Sequence, residues 1–155
     1  MRRVLITGSR CWRDIDKVFE ALEEQYMDYG PFILVHGGCR DGADNFAHQW
    51  FIWLDQDDSY GIVEEVHEAD WKPHGKNGRT DYGAGLKRNH KMVALGADVC
   101  LAFPTICWKK KANCPEGKHY SHGTADCMKA AEAAGIPVQN LGPLLGKQLD
   151  SLETG

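Results

Sequence analysis

Val35-His-Gly-Gly-Cys-Arg-Asp-Gly-Ala-Asp44 joins two segments of different periodicity. Before it, Phe32-Ile-Leu-Val35 is an unbroken apolar run; after it, Asp44, Ala47, Trp50 and Phe51 keep helical spacing. A strand, a glycine turn and a helix in succession let an anion approach bare backbone. Glycine removes the Cβ barrier, and the unpaired N–H groups of the first helical turn face the ligand. The start of the chain repeats this grammar. Arg3-Val-Leu-Ile6 runs into Thr7-Gly-Ser-Arg10, followed by Ile15, Val18, Phe19, Leu22 and Tyr26 at helical intervals. Two such turns in one small protein point to a phosphate-containing ligand.

The remaining elements fall into place outward from these turns. Residues 62–67 read as a short third strand, residues 86–95 as a helix closed by Gly96, and residues 98–103 as a fourth strand. Residues 125–134 form a helix by propensity, preceded by Gly123-Thr124 and closed by Gly135, and Ile136-Pro-Val138 reads as a short last strand. Strands alternating with helices, without period-two patterning, predict a Rossmann-like three-layer α/β/α fold with a mainly parallel sheet of about five strands. The domain is expected over residues 1–140, with irregular insertions at 72–85, read as a mobile loop or lid, and 104–122. Residues 141–155 are expected as a peripheral tail.

At 155 residues the chain accommodates one domain with a substantial core. Its net charge of −4 does not favour a nucleic-acid backbone. No signal peptide or membrane-length apolar stretch is visible, so a cytoplasmic location is expected, with the six cysteines as thiols. No Walker A and no Gly-x-Gly-x-x-Gly motif occurs, which leaves a dinucleotide dehydrogenase with little support.

In a parallel sheet, ligands bind beyond the carboxyl ends of the strands. The expected ligand bed therefore comprises Gly8, Ser9, Arg10, His36, Gly37, Gly38, Asp44, Asp70, Trp71, Arg88, Asn89, Gly123 and Thr124. The glycines supply close backbone approach, Ser9 and Thr124 hydroxyl donors, and Arg10, Arg40 and Arg88 bidentate pairing to phosphate. Asp44 either caps its helix or takes a ribose hydroxyl. Trp71 either packs or stacks on a base.

Several of these pieces together resemble the YspA-related family of the SLOG superfamily. They are Val4-Leu-Ile-Thr-Gly-Ser-Arg10, Val35-His-Gly-Gly38, Gly42-Ala-Asp44, Ala69-Asp-Trp71, Arg88-Asn89 with Met92-Val93, Gly96-Ala-Asp98, Ala102-Phe103, Gly123-Thr124 and Ala134-Gly-Ile-Pro-Val138. Such proteins are common in phages, prophages and bacteria. The resemblance implies a Rossmann-like fold that binds or senses a nucleotide-derived ligand, ADP-ribose-like or a nucleoside phosphate. Kinship with the Lonely Guy phosphoribohydrolases raises an enzymatic alternative, an N-glycosidase using Arg88 with Asp126 or Asp44. The motif glutamate of those enzymes is replaced here by Cys127, and a thiol does not substitute for a carboxylate in that chemistry. Kinship with DprA raises a third reading, a nucleic-acid accessory protein using Trp108-Lys-Lys-Lys111 and Tyr120, against which stand the acidic balance and a solvated lysine loop.

No cofactor is expected. Cys107, Cys114, His119 and His122 form an alternative zinc set, but their spacings miss the usual Cys-x2-4-Cys and His-x3-5-His patterns. Reduced cysteines and surface histidines are the favoured reading there. A nucleotide-derived small molecule is the expected partner. The apolar Trp50-Phe-Ile-Trp-Leu54 is read either as a homodimer contact or as a buried core helix.

Overall fold

The computed structural model describes residues 1–55, 58–109, 111–112 and 114–145. Five parallel strands stand in the order β3-β2-β1-β4-β5. They are β1 (Arg2–Gly8), β2 (Phe32–His36), β3 (Val63–Val66), β4 (Val99–Phe103) and β5 (Val138–Asn140). Between them run α1 (Ile15–Tyr29), α2 (Ala43–Asp55), α3 (Ala84–Ala94) and α4 (His122–Ala133).

The apolar runs of β1 and β4 bury both faces, as a central parallel strand requires. One face carries Val4, Ile6, Leu34, Leu101 and Phe103, packed under Val18 and Leu22 of α1 and Ala47, Trp50 and Leu54 of α2. Phe32 and Trp50 stack there with ring planes 3° apart. The other face carries Leu5, Val35 and Cys100 beneath Met92 and Val93 of α3 and Cys127 and Ala131 of α4. Two helices on each side of one parallel sheet make the three-layer Rossmann-like arrangement expected from the sequence.

Chain order reverses between β1 and β4. Connections β1-α1-β2-α2-β3 advance to one side, and β4-α4-β5 to the other. Arg3 braces the bottom of the central strands: its guanidinium takes both Glu65 oxygens across β2, at 3.1 and 2.6 Å, and its Nε donates to the Gly96 carbonyl at 2.9 Å. Asp14 caps α1 by accepting from the Lys17 N–H at 3.1 Å.

Several boundaries differ from the sequence reading by one to three residues, those of the last strand and the last helix among them. The last strand begins at Val138, because Ile136 is still tied to the helix, its N–H bonded to the Ala131 carbonyl and its side chain buried. Pro137 contributes only its carbonyl, to the Cys100 N–H. The last helix starts at His122, ahead of the 125–134 span expected from propensity, with Ser121 at its N-cap. The segment Trp50-Phe-Ile-Trp-Leu54 divides: Trp50 and Leu54 are core, whereas Ile52 and Trp53 are exposed. Residues 146–155 of the expected tail lie outside the described residues. Leu141, before them, packs on the first core. Among the described residues no helix is long and apolar enough to cross a membrane.

Candidate functional site

At the carboxyl end of the sheet, where β1 and β4 send their chains in opposite directions, lies a cleft of about 560 Å³. Its floor is the turn after β1, with Gly8, Ser9 and Arg10. Gly8 has a packing role, since a Cβ there would overlap that of Ala43 at the start of α2. The Ser9 hydroxyl oxygen accepts from the Cys11 N–H at 3.0 Å and from the Thr105 hydroxyl at 2.8 Å. Its own proton is then free to be donated into the cleft.

Helix α4 points its first turn at the same space. The N–H groups of His122, Gly123 and Thr124 precede the first intrahelical bond, from Ala125 N–H to the Ser121 carbonyl. Ser121 makes no side-chain cap; its hydroxyl lies 3.4 Å from the Thr124 oxygen instead. Among the described residues nothing comes within 4 Å of a Cβ built on Gly123, so this backbone is open to a ligand.

The turn after β2 behaves differently from its reading as part of the bed. His36, Gly37 and Gly38 do not line the cleft. His36 is buried; its Nδ1 accepts from the Gly38 N–H at 3.0 Å, which places its proton on Nε2, donated to Glu64 at 2.9 Å. Gly37 makes room for Arg88, whose Nη1 donates to the carbonyls of Gly37 at 2.7 Å and His67 at 3.2 Å. Asp44 sits in the first turn of α2, yet its Oδ2 accepts from the N–H groups of Gly37 and Cys39, at 3.2 and 3.4 Å. It fixes the glycine loop, a use that neither sequence reading of Asp44 anticipated. Burial, reinforced by that carboxylate, pushes the Cys39 thiol up, so it remains protonated.

Arg88 and Asn89 reach the cleft from α3. Arg88 Nε donates to Asn89 Oδ1 at 2.9 Å, and Asn89 passes the connection on to the Gly123 carbonyl at 3.4 Å. Trp71 lies at the mouth with its ring edge against Gly85 and the Arg10 guanidinium 5.7 Å from the ring centroid. Asp70 is exposed and outside. Asp126 also turns away, paired with His90 Nε2 at 2.8 Å across α3 and α4. Cys127 is buried against the sheet, within the second core.

The 104–122 insertion also lines the cleft, contributing Thr105, Ile106, Cys107, Trp108, Lys109 and Lys111. Periodicity reads this segment only as irregular, and Lys109 and Lys111 were not expected at this site. Trp108 is exposed, but Tyr120 is buried, its hydroxyl donating to the Pro143 carbonyl at 2.6 Å, and is not offered to a base. Among the described residues the cleft is lined by four permanent cations, Arg10, Arg88, Lys109 and Lys111, and one carboxylate, Asp44.

An open parallel sheet with a cationic cleft at its switch point is the arrangement of nucleotide-handling Rossmann-like domains. A profile described as the YspA, cpYpsA-related SLOG family matches residues 2–74, which hold β1 to β3 and both glycine turns. The Gene 61 protein of Mycobacterium phage D29 is 45% identical over 144 residues, covering 92% of this chain and 98% of that protein. The chain belongs to the YspA, cpYpsA-related SLOG family.

Proposed function

We propose that this cleft binds the phosphate end of a nucleotide-derived ligand, a nucleoside phosphate or an ADP-ribose-like molecule. The observation that carries the reading is the inversion of charge: a protein of net charge −4 gathers four cations against one carboxylate around this cleft. Arg10 is exposed and free to pair with phosphate, while Arg88 is held through Nε and Nη1, leaving Nη2, 4.0 Å from the Cys39 sulfur, as its weakly engaged donor. The first turn of α4 adds oriented N–H groups and the positive end of its dipole. Trp71, beside Arg10, offers a ring face for a base.

The hydrolytic alternative finds less support. Asp126 and Cys127 face away from the cleft, and Asp44 is already engaged by two loop N–H groups. A glycosidase needs a carboxylate able to act on the sugar or on water.

The test is mass spectrometry of small molecules released on denaturing freshly purified protein, followed by calorimetric titration with nucleoside phosphates and ADP-ribose. A phosphorylated nucleoside ligand is expected, with affinity lowered about tenfold or more, about 1.4 kcal/mol, by Arg10→Ala. Protein that binds no such compound, or binds it equally well after that replacement, would overturn the proposal.

A further inference from the structure

The geometry points to a structural zinc site in the 104–122 insertion, held by Cys107, Cys114, His119 and His122 and bracing one wall of the cleft. The ligand atoms of these four side chains all lie within 4.8 Å of one another. His122 Nε2 is 3.5 Å from Cys114 Sγ, 3.8 Å from Cys107 Sγ and 3.3 Å from His119 Nε2. A tetrahedral ion with Zn–S of ~2.3 Å and Zn–N of ~2.05 Å sets S···N edges of about 3.5 Å and an N···N edge of about 3.3 Å. The three edges that meet at His122 Nε2 match that tetrahedron to within about 0.3 Å, and the remaining ones fall within 4.8 Å.

The protonation pattern agrees. His119 Nδ1 lies 3.0 Å from the Gly117 carbonyl, which only accepts, so the ring proton is on Nδ1 and the Nε2 lone pair faces the centre. That carbonyl fixes the tautomer and orientation of the ring, as partners of zinc-bound histidines do. Both cysteines are free thiols, each directed at the Lys109 carbonyl. Binding Zn²⁺ would expel the two thiol protons to solvent and leave a neutral centre of two thiolates, two neutral imidazoles and the dication.

The spacing that told against zinc in the sequence is explained by the fold. Ile106 bridges Tyr120 in antiparallel fashion, with Cys107 N–H bonded to the His119 carbonyl at 2.8 Å and Ser121 N–H to that of Thr105 at 2.8 Å. This two-stranded ribbon sets Cys107 opposite His119, α4 supplies His122 from its first residue, and the turn supplies Cys114. Four protein ligands close the coordination sphere, which assigns a structural role. The second group of candidate ligands, His36, His48 and Glu64, is satisfied internally, since one Glu64 oxygen takes both rings.

The inference does not depend on which molecule the cleft binds. Full-length protein purified without chelator is assayed for metal and, after stripping, titrated with Zn²⁺ against a chromophoric chelator and with Co²⁺ by absorption. We expect one zinc per chain, tetrahedral cobalt bands with thiolate-to-metal charge transfer, and a loss of zinc affinity of about tenfold or more in Cys114→Ser and His119→Ala. Cys11→Ser should keep the metal. Circular dichroism separates loss of the site from loss of the sheet. Stripped wild-type protein that competes for zinc no better than the Cys107→Ser/Cys114→Ser double variant, or a cobalt form without charge transfer, would overturn the assignment.

Discussion

Gly42 is where the two glycine turns meet. Its φ is +77°, and a Cβ there would overlap the Ser9 carbonyl oxygen. Gly42→Ala therefore combines left-handed backbone strain with overpacking and should destabilise the fold by about 2–5 kcal/mol, read from the urea midpoint. Gly123→Ala should do the opposite: with nothing nearby and a helical position, stability is unchanged or gains up to about 1 kcal/mol. Its methyl group would instead cover the N–H groups facing the cleft, so phosphate affinity should fall. Unchanged affinity in a titration would remove Gly123 from the bed. The sequence makes Gly37, Gly38 and Gly123 look alike, because each follows or precedes a regular element. What separates them is the space where a Cβ would stand: Arg88 fills it at Gly37, and among the described residues nothing fills it at Gly123. No local pattern encodes that difference.

Strands and helices were more legible than side-chain roles, since they follow from short-range periodicity. The burial of β1 and β4 and the helical spacing from Ile15 to Tyr26 could be read directly. The start of β5 could not, because it is fixed by pairing with Cys100. Cross-strand bracing was equally hidden. The Arg3 guanidinium foremost, and then His67, hold the Glu65 carboxyl down at about 2, below its ordinary 4.5. A carboxyl whose pKa is lower folded than unfolded stabilises fully above the unfolded value, and that contribution fades as pH falls from about 4.5 towards 2. Glu65→Gln should accordingly flatten the stability–pH curve across that window in acid titrations followed by circular dichroism. An unaltered acid limb would mean that the pair is not formed in solution. At the N-terminus of α1, Asp14→Ala should cost about 1 kcal/mol in urea denaturation.

For the whole molecule, the decisive property is segregation of charge. Arg10, Arg88 and the pair Lys109 and Lys111 come from three separate places in the chain and share one cleft, while the net charge stays negative. Composition shows only the sum; the motifs put Arg10 and Arg88 in the expected bed, but Lys109 and Lys111 join them only once the fold brings the insertion to the cleft. A compact phosphate enters that local field, whereas a long polyanion must also run along acidic surface. Screening at 0.15 M salt acts over about 8 Å. A mononucleotide-sized ligand should therefore stay bound at this ionic strength, while a single-stranded oligonucleotide should bind only at low salt and be lost steeply as salt rises. Fluorescence anisotropy across a salt series checks this, and oligonucleotide binding that persists at 0.15 M would favour a nucleic-acid role.

The position of β1 also bears on how fast the protein folds and comes apart. Arg2 pairs with Phe32, but on its other side Val4 must find Val99. Closing the longer loop costs more entropy, so the β1-β2-β3 half is expected to assemble first and β4 to dock later. The cleft is lined from both halves, by Ser9 and Arg10 after β1 and by Thr105 and the start of α4 after β4. A ligand lodged there ties the early half to the late one. Its kinetic effect should fall on the unfolding limb, prolonging the lifetime of the native protein while the folding rate hardly changes.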